Sequence, residues 1–315
     1  MRKTLVILNP RAGNAHQRQA VLLGADEWRR ERGWQVDIRE TTHGGHATEL
    51  ARELAGEYGL VVAAGGDGTI NEVVNGLAHT DATMGALPIG TGNVWVRELR
   101  QSLNPLIAAR QLAGGSIHRV DLGQANDRYF LLMAGIGIDA AVTQQVRSAD
   151  KSRLGRLAYV LKSFEVLRGW RGTRTRIAID GEPLKGNAMF VLVSNSRLYG
   201  GVVNIAYRAS MSDGLLDVCV MMGDNALAAP AILAGIMLRR HRIHPNMRYF
   251  QAREVEVACS RALPVQVDGD MIGTTPMSFA VAPQALRVLL PPTIPPDRLF
   301  EAPQPWHRRW RRRAG

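Results

Sequence analysis

The sequence predicts an α/β domain followed by an all-β domain, and three observations support this. The first 120 residues alternate strand and helix patterns, which is typical of a parallel sheet covered by helices. Beyond Asp121 short strands and turns follow one another closely, as in an antiparallel sandwich. The chain has 315 residues, more than a single hydrophobic core usually holds, so we expect two domains.

The elements of the first half follow one another in a clear order. Strands are predicted at TLVILN and WQVDIRE, and helices over 15–32 and in HATELARELAGEYG. The continuous apolar run 60–64 predicts a buried strand, because it is short and rich in β-branched residues. A helix is predicted after it, since residues 70, 73, 74, 77 and 78 are apolar and share one helical face.

The second half is dominated by strand patterns. The segment RIAIDGEPLKGNAMFVLVSN alternates apolar and polar residues around Asp180-Gly181, which predicts a hairpin. Further strands are predicted at LLDVCVM, EVEVAC, LPVQVDGD, MSFAVAP and ALRVLLP. Two helices are predicted within this half, over 154–167 and 226–240, and the proline-rich segment PPTIPPDRLFEAPQP leads to a basic tail.

Glycine-rich turns follow the strands of the first half. Gly65 to Thr69 (GGDGT) separates a strand from a helix, and NPRAGNA and PIGTGN occupy equivalent places elsewhere. Such turns emerge at one edge of a parallel sheet, where helix N-termini present N–H groups to anions. Phosphate is the natural ligand, and the carboxylate of Asp67 then requires a divalent cation between them. The alternative is simple chain reversal, with Thr69 as a helix cap.

Composition restricts the compartment and the partners. The two cysteines argue against a disulfide scaffold and fit a reducing cytosol, and we see no signal peptide or transmembrane segment. The net charge of +11 comes from 147–176 and from the tail HRRWRRR. Clustered cations with nearby tryptophans predict contact with an anionic membrane surface, whereas no basic-aromatic pattern for nucleic acid is present. A solvated basic face and tail is the alternative.

The motifs NPRAGNA, GGDGTINEVVNGL and PIGTGN, in this order, resemble the diacylglycerol-kinase-type catalytic family, which includes bacterial lipid kinases and the sphingosine and ceramide kinases. The segments RVDLGQANDRYFLLMAGIGIDA, SDGLLDV and VQVDGD extend the resemblance over nearly the whole chain. It implies a Rossmann-like N-terminal nucleotide domain, 1–121, and a C-terminal antiparallel β-sandwich domain, 122–295. Residues 296–315 are expected to pack back on the first domain.

The resemblance also implies an ATP- and Mg²⁺-dependent lipid kinase with its site between the domains. It implies that Asp270 is the general base with Asp268 beside it, and that Asp67 acts through the catalytic magnesium in a network with Thr91 and Asp121. The ATP-binding residues that it implies are Asn9, Thr41, Gly65, Gly66, Asp67, Gly68, Thr69, Asn71, Glu72, Gly90, Thr91 and Asn93. The metal-binding residues that it implies are Asp67 and Asp121, with Ser210, Asp213 and Leu215 at a second, structural magnesium.

Two positions depart from the family pattern. Asp270 stands where the family usually has glutamate, so its reach to a substrate hydroxyl is shorter by one methylene. Asn14 stands where some relatives have a lysine that faces phosphate. The resemblance therefore still implies the complete kinase site, but without the phosphate contact that a lysine at position 14 would make.

Other functions fit parts of the same sequence. An NAD kinase also carries a Gly-Gly-Asp-Gly-Thr turn, but INEVVNGL, GTGN and the localised basic charge favour a lipid kinase. A catalytically silent nucleotide- or lipid-binding protein is a further alternative, and Asp270 in place of glutamate supports it. The residues whose retention opposes it are Asp67, Thr91, Asp121 and Asp268. We expect a cytoplasmic protein at the inner face of the membrane, and the sequence leaves a homodimer open.

Overall fold

The structure is a computed structural model that describes residues 2–137, 140, 173–199, 203–223, 246–292 and 299. The helices predicted over 154–167 and 226–240 lie outside the described residues, as does the basic tail. Among the described residues no helix is long and apolar enough to cross a bilayer.

The first half forms a parallel sheet with helices on both faces, which confirms the α/β prediction. Strand β1 pairs in parallel with β2 and β3, and β3 pairs in parallel with β4. The strands are β1 (Lys3–Leu8), β2 (Gln35–Glu40), β3 (Leu60–Gly65) and β4 (Thr83–Pro88). The helices are α1 (Ala15–Arg32), α2 (His46–Leu54), α3 (Asp67–Leu77), α4 (Val94–Glu98) and α5 (Pro105–Ala113).

The remaining strands form an antiparallel β-sandwich, which confirms the predicted second fold. They begin with β5 (Ser116–Ala125), β6 (Arg128–Phe130), β7 (Met133–Gly137), β8 (Thr173–Ile179), β9 (Glu182–Ser194), β10 (Leu198–Tyr199) and β11 (Val203–Asn204). They continue with β12 (Leu216–Met222), β13 (Met247–Ala252), β14 (Glu254–Cys259), β15 (Pro264–Val267), β16 (Asp270–Thr274) and β17 (Met277–Leu290). The predicted hairpin at Asp180-Gly181 joins β8 to β9, with both turn residues at positive φ.

The prediction of two separate sandwich strands at MSFAVAP and ALRVLLP is wrong, because both belong to the single strand β17. Its first residues pair with β14, while Arg287 and Val288 pair in parallel with β4. β5 follows β17 along its length, across a bulge between Ala282 and Leu286. One strand pair therefore runs through both sheets, and apolar residues alone could not reveal this change of partner.

Three apolar clusters fill the space between the layers. One lies under α1 and α5 and is centred on Val6, Val62 and Trp28. A second lies under α2 and α3 and continues towards the sandwich through Leu122 and Leu286. The third fills the sandwich itself. The second cluster fixes α3 against the β5–β17 pair, and this brings the start of α3 beside the sandwich.

Candidate active site

The three glycine-rich turns meet at the carboxyl edge of the parallel sheet, as predicted. A Cβ at Gly90 would clash with the Cα of Gly66, so the second and third turns touch backbone to backbone. The turn NPRAGNA joins them, since a Cβ at Gly13 would clash with the carbonyl of Ile89. The Asn9 amide Nδ2 also donates to Oγ1 of Thr69 over 3.1 Å. Glycine therefore lets the backbones of the three turns come into direct contact.

Asp67 begins α3 and faces the third turn. Its Oδ1 accepts the N–H of Val94 over 2.7 Å, and a Cβ at Gly92 would lie 2.7 Å from its Oδ2. Asn93 closes this turn by donating from Nδ2 to the carbonyl of Gly90 over 2.6 Å. Burial raises the pKa of Asp67, the N–H groups of Trp95 and Val94 oppose that rise, and Asp268 adds to it. The carboxylate is thus oriented by backbone in a place where a cation would favour its ionised form.

Asp270 lies beside the first turn of α3. A Cβ at Gly68 would lie 3.9 Å from Oδ2 of Asp270, although the two residues are about two hundred positions apart. Oδ2 also accepts from Nη2 of Arg128 over 3.0 Å. The sandwich therefore delivers a carboxylate to the first turn of α3, as the resemblance implies. The role of this carboxylate stays a prediction.

Asp268 is held by backbone instead of facing the glycine turns. Its Oδ1 accepts the N–H groups of Leu132 and Met133 over 2.9 and 3.0 Å. Its Oδ2 accepts from the N–H of Leu131 and from Nδ2 of Asn71, each over 2.8 Å. Burial raises the pKa of Asp268 and these donors oppose the rise. Its contacts are those of an anchor between the Asp268-Gly269 turn, the strand start at 131–133 and α3.

The carboxylate of Asp121 bonds to Gly214 and to Gln284 in the β17 bulge, and these contacts lie away from Asp67. Its Oδ1 accepts the N–H of Gln284 and its Oδ2 that of Gly214, both over 2.7 Å. Asp121 is fully buried, and burial raises its pKa. The structure thus brings Asp121 together with Asp213, not with Asp67 and Thr91. A direct role at the glycine turns stays a prediction that its contacts do not support.

The loop around Asp213 carries buried oxygen atoms that lack a donor. Among the described residues, Oδ2 of Asp213 and Oδ2 of Asp217 have no hydrogen-bond partner. Burial raises the pKa of Asp213 to about 6 and that of Asp217 to about 7. Ser210 donates to the carbonyl of Leu299, while the N–H of Leu215 donates to Oδ1 of Asp213. Within the described part of the chain no three His, Cys, Asp or Glu side chains converge on one point.

Of the other predicted ATP-binding residues, Thr91 and Thr41 lie near the glycine turns, whereas Glu72 contacts α2. Thr91 is exposed at the tip of the third turn, and Thr41 bonds through its N–H to the carbonyl of Leu8 at the sheet edge. Glu72 points instead to α2, where its Oε2 accepts the N–H of Ala47 over 3.1 Å. Asn14 caps α1, because its side chain accepts the N–H of Gln17 and its own N–H donates to the Gln17 side chain.

Sequence reasoning missed Arg128 and Asn75. Arg128 donates to both Asn71 and Asp270. Asn75 accepts the N–H of Tyr129 over 2.9 Å and donates back to its carbonyl. The available signal was the segment NDRYF, whose Asn-Asp pair predicts a turn that would lead an arginine and a tyrosine towards α3.

Comparison with known proteins identifies the family of this chain. The profile of the diacylglycerol kinase catalytic domain matches residues 3–125, and that of the YegS C-terminal NAD kinase beta sandwich-like domain matches residues 133–290. A diacylglycerol kinase from Bacillus subtilis is 34% identical over 92% of this chain and 97% of its own length. One from Staphylococcus saprophyticus is 30% identical over 85% of this chain and 89% of its own. The chain belongs to the diacylglycerol kinase family.

The protein is accordingly a lipid kinase. Solved structures from Bacillus anthracis have the same fold: one superposes with a TM-score of 0.80 over 93% of this chain and 99% of its own. Another, described as a diacylglycerol kinase, superposes with a TM-score of 0.75 over 92% of this chain and 97% of its own. Both are 24% identical to this chain, so the likeness is one of fold.

Proposed function

We propose that this lipid kinase uses ATP and Mg²⁺ to phosphorylate the hydroxyl group of a diacylglycerol-like lipid. One observation supports this above the others: the Asp270 carboxylate lies beside Gly68, on the turn that opens α3. A proton acceptor and a phosphate-binding turn are the two things that phosphoryl transfer to an alcohol requires of a protein. Here they come from different domains and meet.

The glycine turns suit the phosphates of ATP. Gly66 and Gly90 let the backbones of the second and third turns touch, and α3 directs the N–H groups of its first turn to the same place. Asp67 stands at that helix start with its carboxylate oriented by Val94. Its charge fits a Mg²⁺ ion, which would neutralise phosphate charge during transfer. Asn14 caps α1 and brings no positive charge here.

The lipid hydroxyl would approach from the side of Asp270. As its oxygen bonds to the γ-phosphorus, the bond from that phosphorus to the bridging oxygen breaks and ADP leaves. The hydroxyl proton passes to the Asp270 carboxylate. Asp268 does not face this exchange, so we assign it the positioning of the β15–β16 turn that carries Asp270. The reaction thus places one carboxylate on each partner: Asp67 at the nucleotide and Asp270 at the lipid.

The loop around Asp213 suits a second, structural cation. The orphaned Oδ2 of Asp213 is a buried carboxylate oxygen, which is costly unless a donor or cation satisfies it. Main-chain oxygens near Ser210 and Leu215 would complete the ligands. Asp121, through the N–H of Gly214, would hold the loop in place.

The direct test incubates the purified protein with radiolabelled ATP, Mg²⁺ and a total lipid extract and identifies the labelled product. NAD is offered as an acceptor in a parallel reaction, because the matched sandwich domain is NAD kinase-like. Labelled phosphatidic acid supports the proposal. Labelled NADP, or nucleotide binding without any labelled product, contradicts it. We further propose that the protein works at the inner membrane surface from the cytoplasm, as a monomer or a homodimer.

A further inference from the structure

Arg128 is the side chain at which the site residues of both domains meet. It opens β6, and its Nη2 lies 3.0 Å from Oδ2 of Asp270 in the sandwich. The same nitrogen lies 2.8 Å from Oδ1 of Asn71 in α3, and Nε lies 3.2 Å from that oxygen. One guanidinium therefore joins the carboxylate to the helix that begins at the glycine turn.

The guanidinium is itself held in place. Asn71 is buried, and its Nδ2 donates to Asp268, so its Oδ1 is turned towards Arg128. Asn75 fixes the adjacent peptide of Tyr129 by hydrogen bonds in both directions. The fork of an arginine side chain is rigid and planar, so contacts at both ends define its position.

Asp270 needs such a partner for electrostatic reasons. Asp268 is two residues away, Asp67 begins the neighbouring helix, and a bound triphosphate adds further negative charge. The pair is partly buried, with 37% of the Arg128 side chain and 22% of the Asp270 side chain exposed. An ion pair in this setting is screened less than one at the surface.

We propose that Arg128 is a positioning residue that holds the Asp270 carboxylate at the start of α3, ready to accept the lipid proton. This inference rests on the proposed function, in which Asp270 is the base. It also accounts for an aspartate at this position, because the carboxylate is drawn to α3 through Arg128 and Asn71. A misplaced base lowers the rate of transfer and leaves ATP binding largely unchanged.

The test compares Arg128→Gln, Arg128→Lys and the control Arg110→Gln. Arg110 forms a similar ion pair with Glu27, but on the outer surface between α5 and α1. We expect Arg128→Gln to lower kcat for lipid phosphorylation by about 10- to 100-fold with the KM for ATP changed less than about 3-fold. Arg128→Lys keeps the charge and should restore part of kcat, and Arg110→Gln should match the wild type. Thermal unfolding checks that each variant folds.

A double-mutant cycle with Asp270→Asn separates positioning from a general structural effect. Without the base there is nothing to position, so Arg128→Gln should then change the residual kcat by less than about 2-fold. An equal loss in both backgrounds, or no loss in either, overturns the inference. If Arg128→Gln does not fold, Arg128→Lys takes its place in the cycle. A wild-type enzyme that labels no lipid contradicts the proposed function instead.

Discussion

The carboxylate of Asp67 is aimed by the backbone around it. The N–H of Val94 holds Oδ1, and the lack of a side chain at Gly92 leaves Oδ2 against the third turn. Such a group loses little conformational freedom when it meets a cation, so in the proposed reaction the contribution of Asp67 depends on its charge. Removing the charge of Asp67 while keeping its shape should therefore change activity without changing stability.

Asp67→Asn should therefore abolish most activity and leave the fold intact. The amide oxygen can still accept from Val94, but the negative charge that fits Mg²⁺ is lost. We expect kcat to fall by about 100-fold or more, with the midpoint of thermal unfolding nearly unchanged. Asp26→Asn, which removes an exposed partner of Arg29, is the control. Unchanged turnover of Asp67→Asn would remove Asp67 from the mechanism.

Asp180 and Asp268 offer a matched pair of hairpin residues. Each precedes a glycine, has a positive φ and accepts backbone N–H groups across the chain. Asp180 is exposed, whereas the Asp268 carboxylate is enclosed by four donors. The difference in stability lost when each aspartate is replaced by alanine therefore measures how much the buried Asp268 carboxylate stabilises the fold.

Asp268→Ala should lower the free energy of unfolding by about 2–4 kcal/mol, because it leaves enclosed N–H groups without an acceptor. Asp180→Ala should cost about 1 kcal/mol or less, since water can reach its donors. Denaturant unfolding of both variants measures this. Equal losses of unfolding free energy in the two variants would show that water reaches the donors around Asp268 and that Asp268 is not a structural anchor.

At the scale of elements, the second and third glycine turns depend on each other. Gly66 follows β3 and Gly90 follows β4, and the two strands are neighbours in the sheet. Their backbones approach so closely that a Cβ at Gly90 would lie 2.4 Å from the Cα of Gly66. A shift in one turn therefore displaces the other.

Gly90→Ala should raise the KM for ATP and lower the free energy of unfolding by about 1–3 kcal/mol, since the new methyl group meets the backbone of Gly66. Gly56→Ala, in a turn where a Cβ meets nothing within 4 Å, should leave both unchanged. Steady-state kinetics and denaturant unfolding provide the values. An unchanged KM for ATP in Gly90→Ala would exclude this turn from nucleotide binding.

The sequence predicted the elements of the first half well, because their signals are local. The helix over 15–32 coincides with α1, and the strand at 60–64 is one residue short of β3. The elements that were not predicted include α5, β5, β6, β7 and β13. β17 was divided in two, because pairing between distant strands leaves no periodic pattern.

The candidate site divides in the same way. The glycine turns are continuous in sequence, so their meeting at one edge follows from parallel strands alone. The bond from Asn71 to Asp268 spans 197 positions, and that from Arg128 to Asp270 spans 142. A role for Asp270 came from the resemblance to a family, and a role for Arg128 required the structure.

At the scale of the whole molecule, the proposed structural cation would join distant parts of the chain. Asp121 of β5 bonds to Gly214, and the carbonyl of Leu299 accepts from the N–H of Met211. Leu299 is the one described residue of the segment expected to pack back on the first domain. The packing of the rest of that segment stays a prediction.

Removing divalent cations with EDTA should lower the midpoint of thermal unfolding by about 3 °C or more, because a cation that binds only the folded state stabilises it. Asp213→Asn, which removes the carboxylate at this loop, should unfold at the same temperature with and without EDTA. Differential scanning calorimetry measures both proteins. An Asp213→Asn variant as sensitive to EDTA as the wild type would place the stabilising cation elsewhere.

The basic tail supplies a second prediction at this scale. Deleting Trp306–Gly315 removes five arginines and two tryptophans, so it should weaken binding to anionic vesicles at low salt. Sedimentation with phosphatidylglycerol vesicles, and with neutral vesicles as the control, measures the change. Equal binding of both proteins to anionic vesicles would leave the tail as ordinary solvated chain.

The long strand β17 determines how this chain can be divided. It comes near the end of the chain, yet its last residues cover the edge of β4, a strand of the first half. A fragment that stops near residue 125 would leave that edge bare, and bare edges recruit strands from other molecules. The edge of β4 is also bare during synthesis on the ribosome, because its partner residues 287 and 288 in β17 are made much later. Until then the edge of β4 is open to pairing with a strand of another molecule.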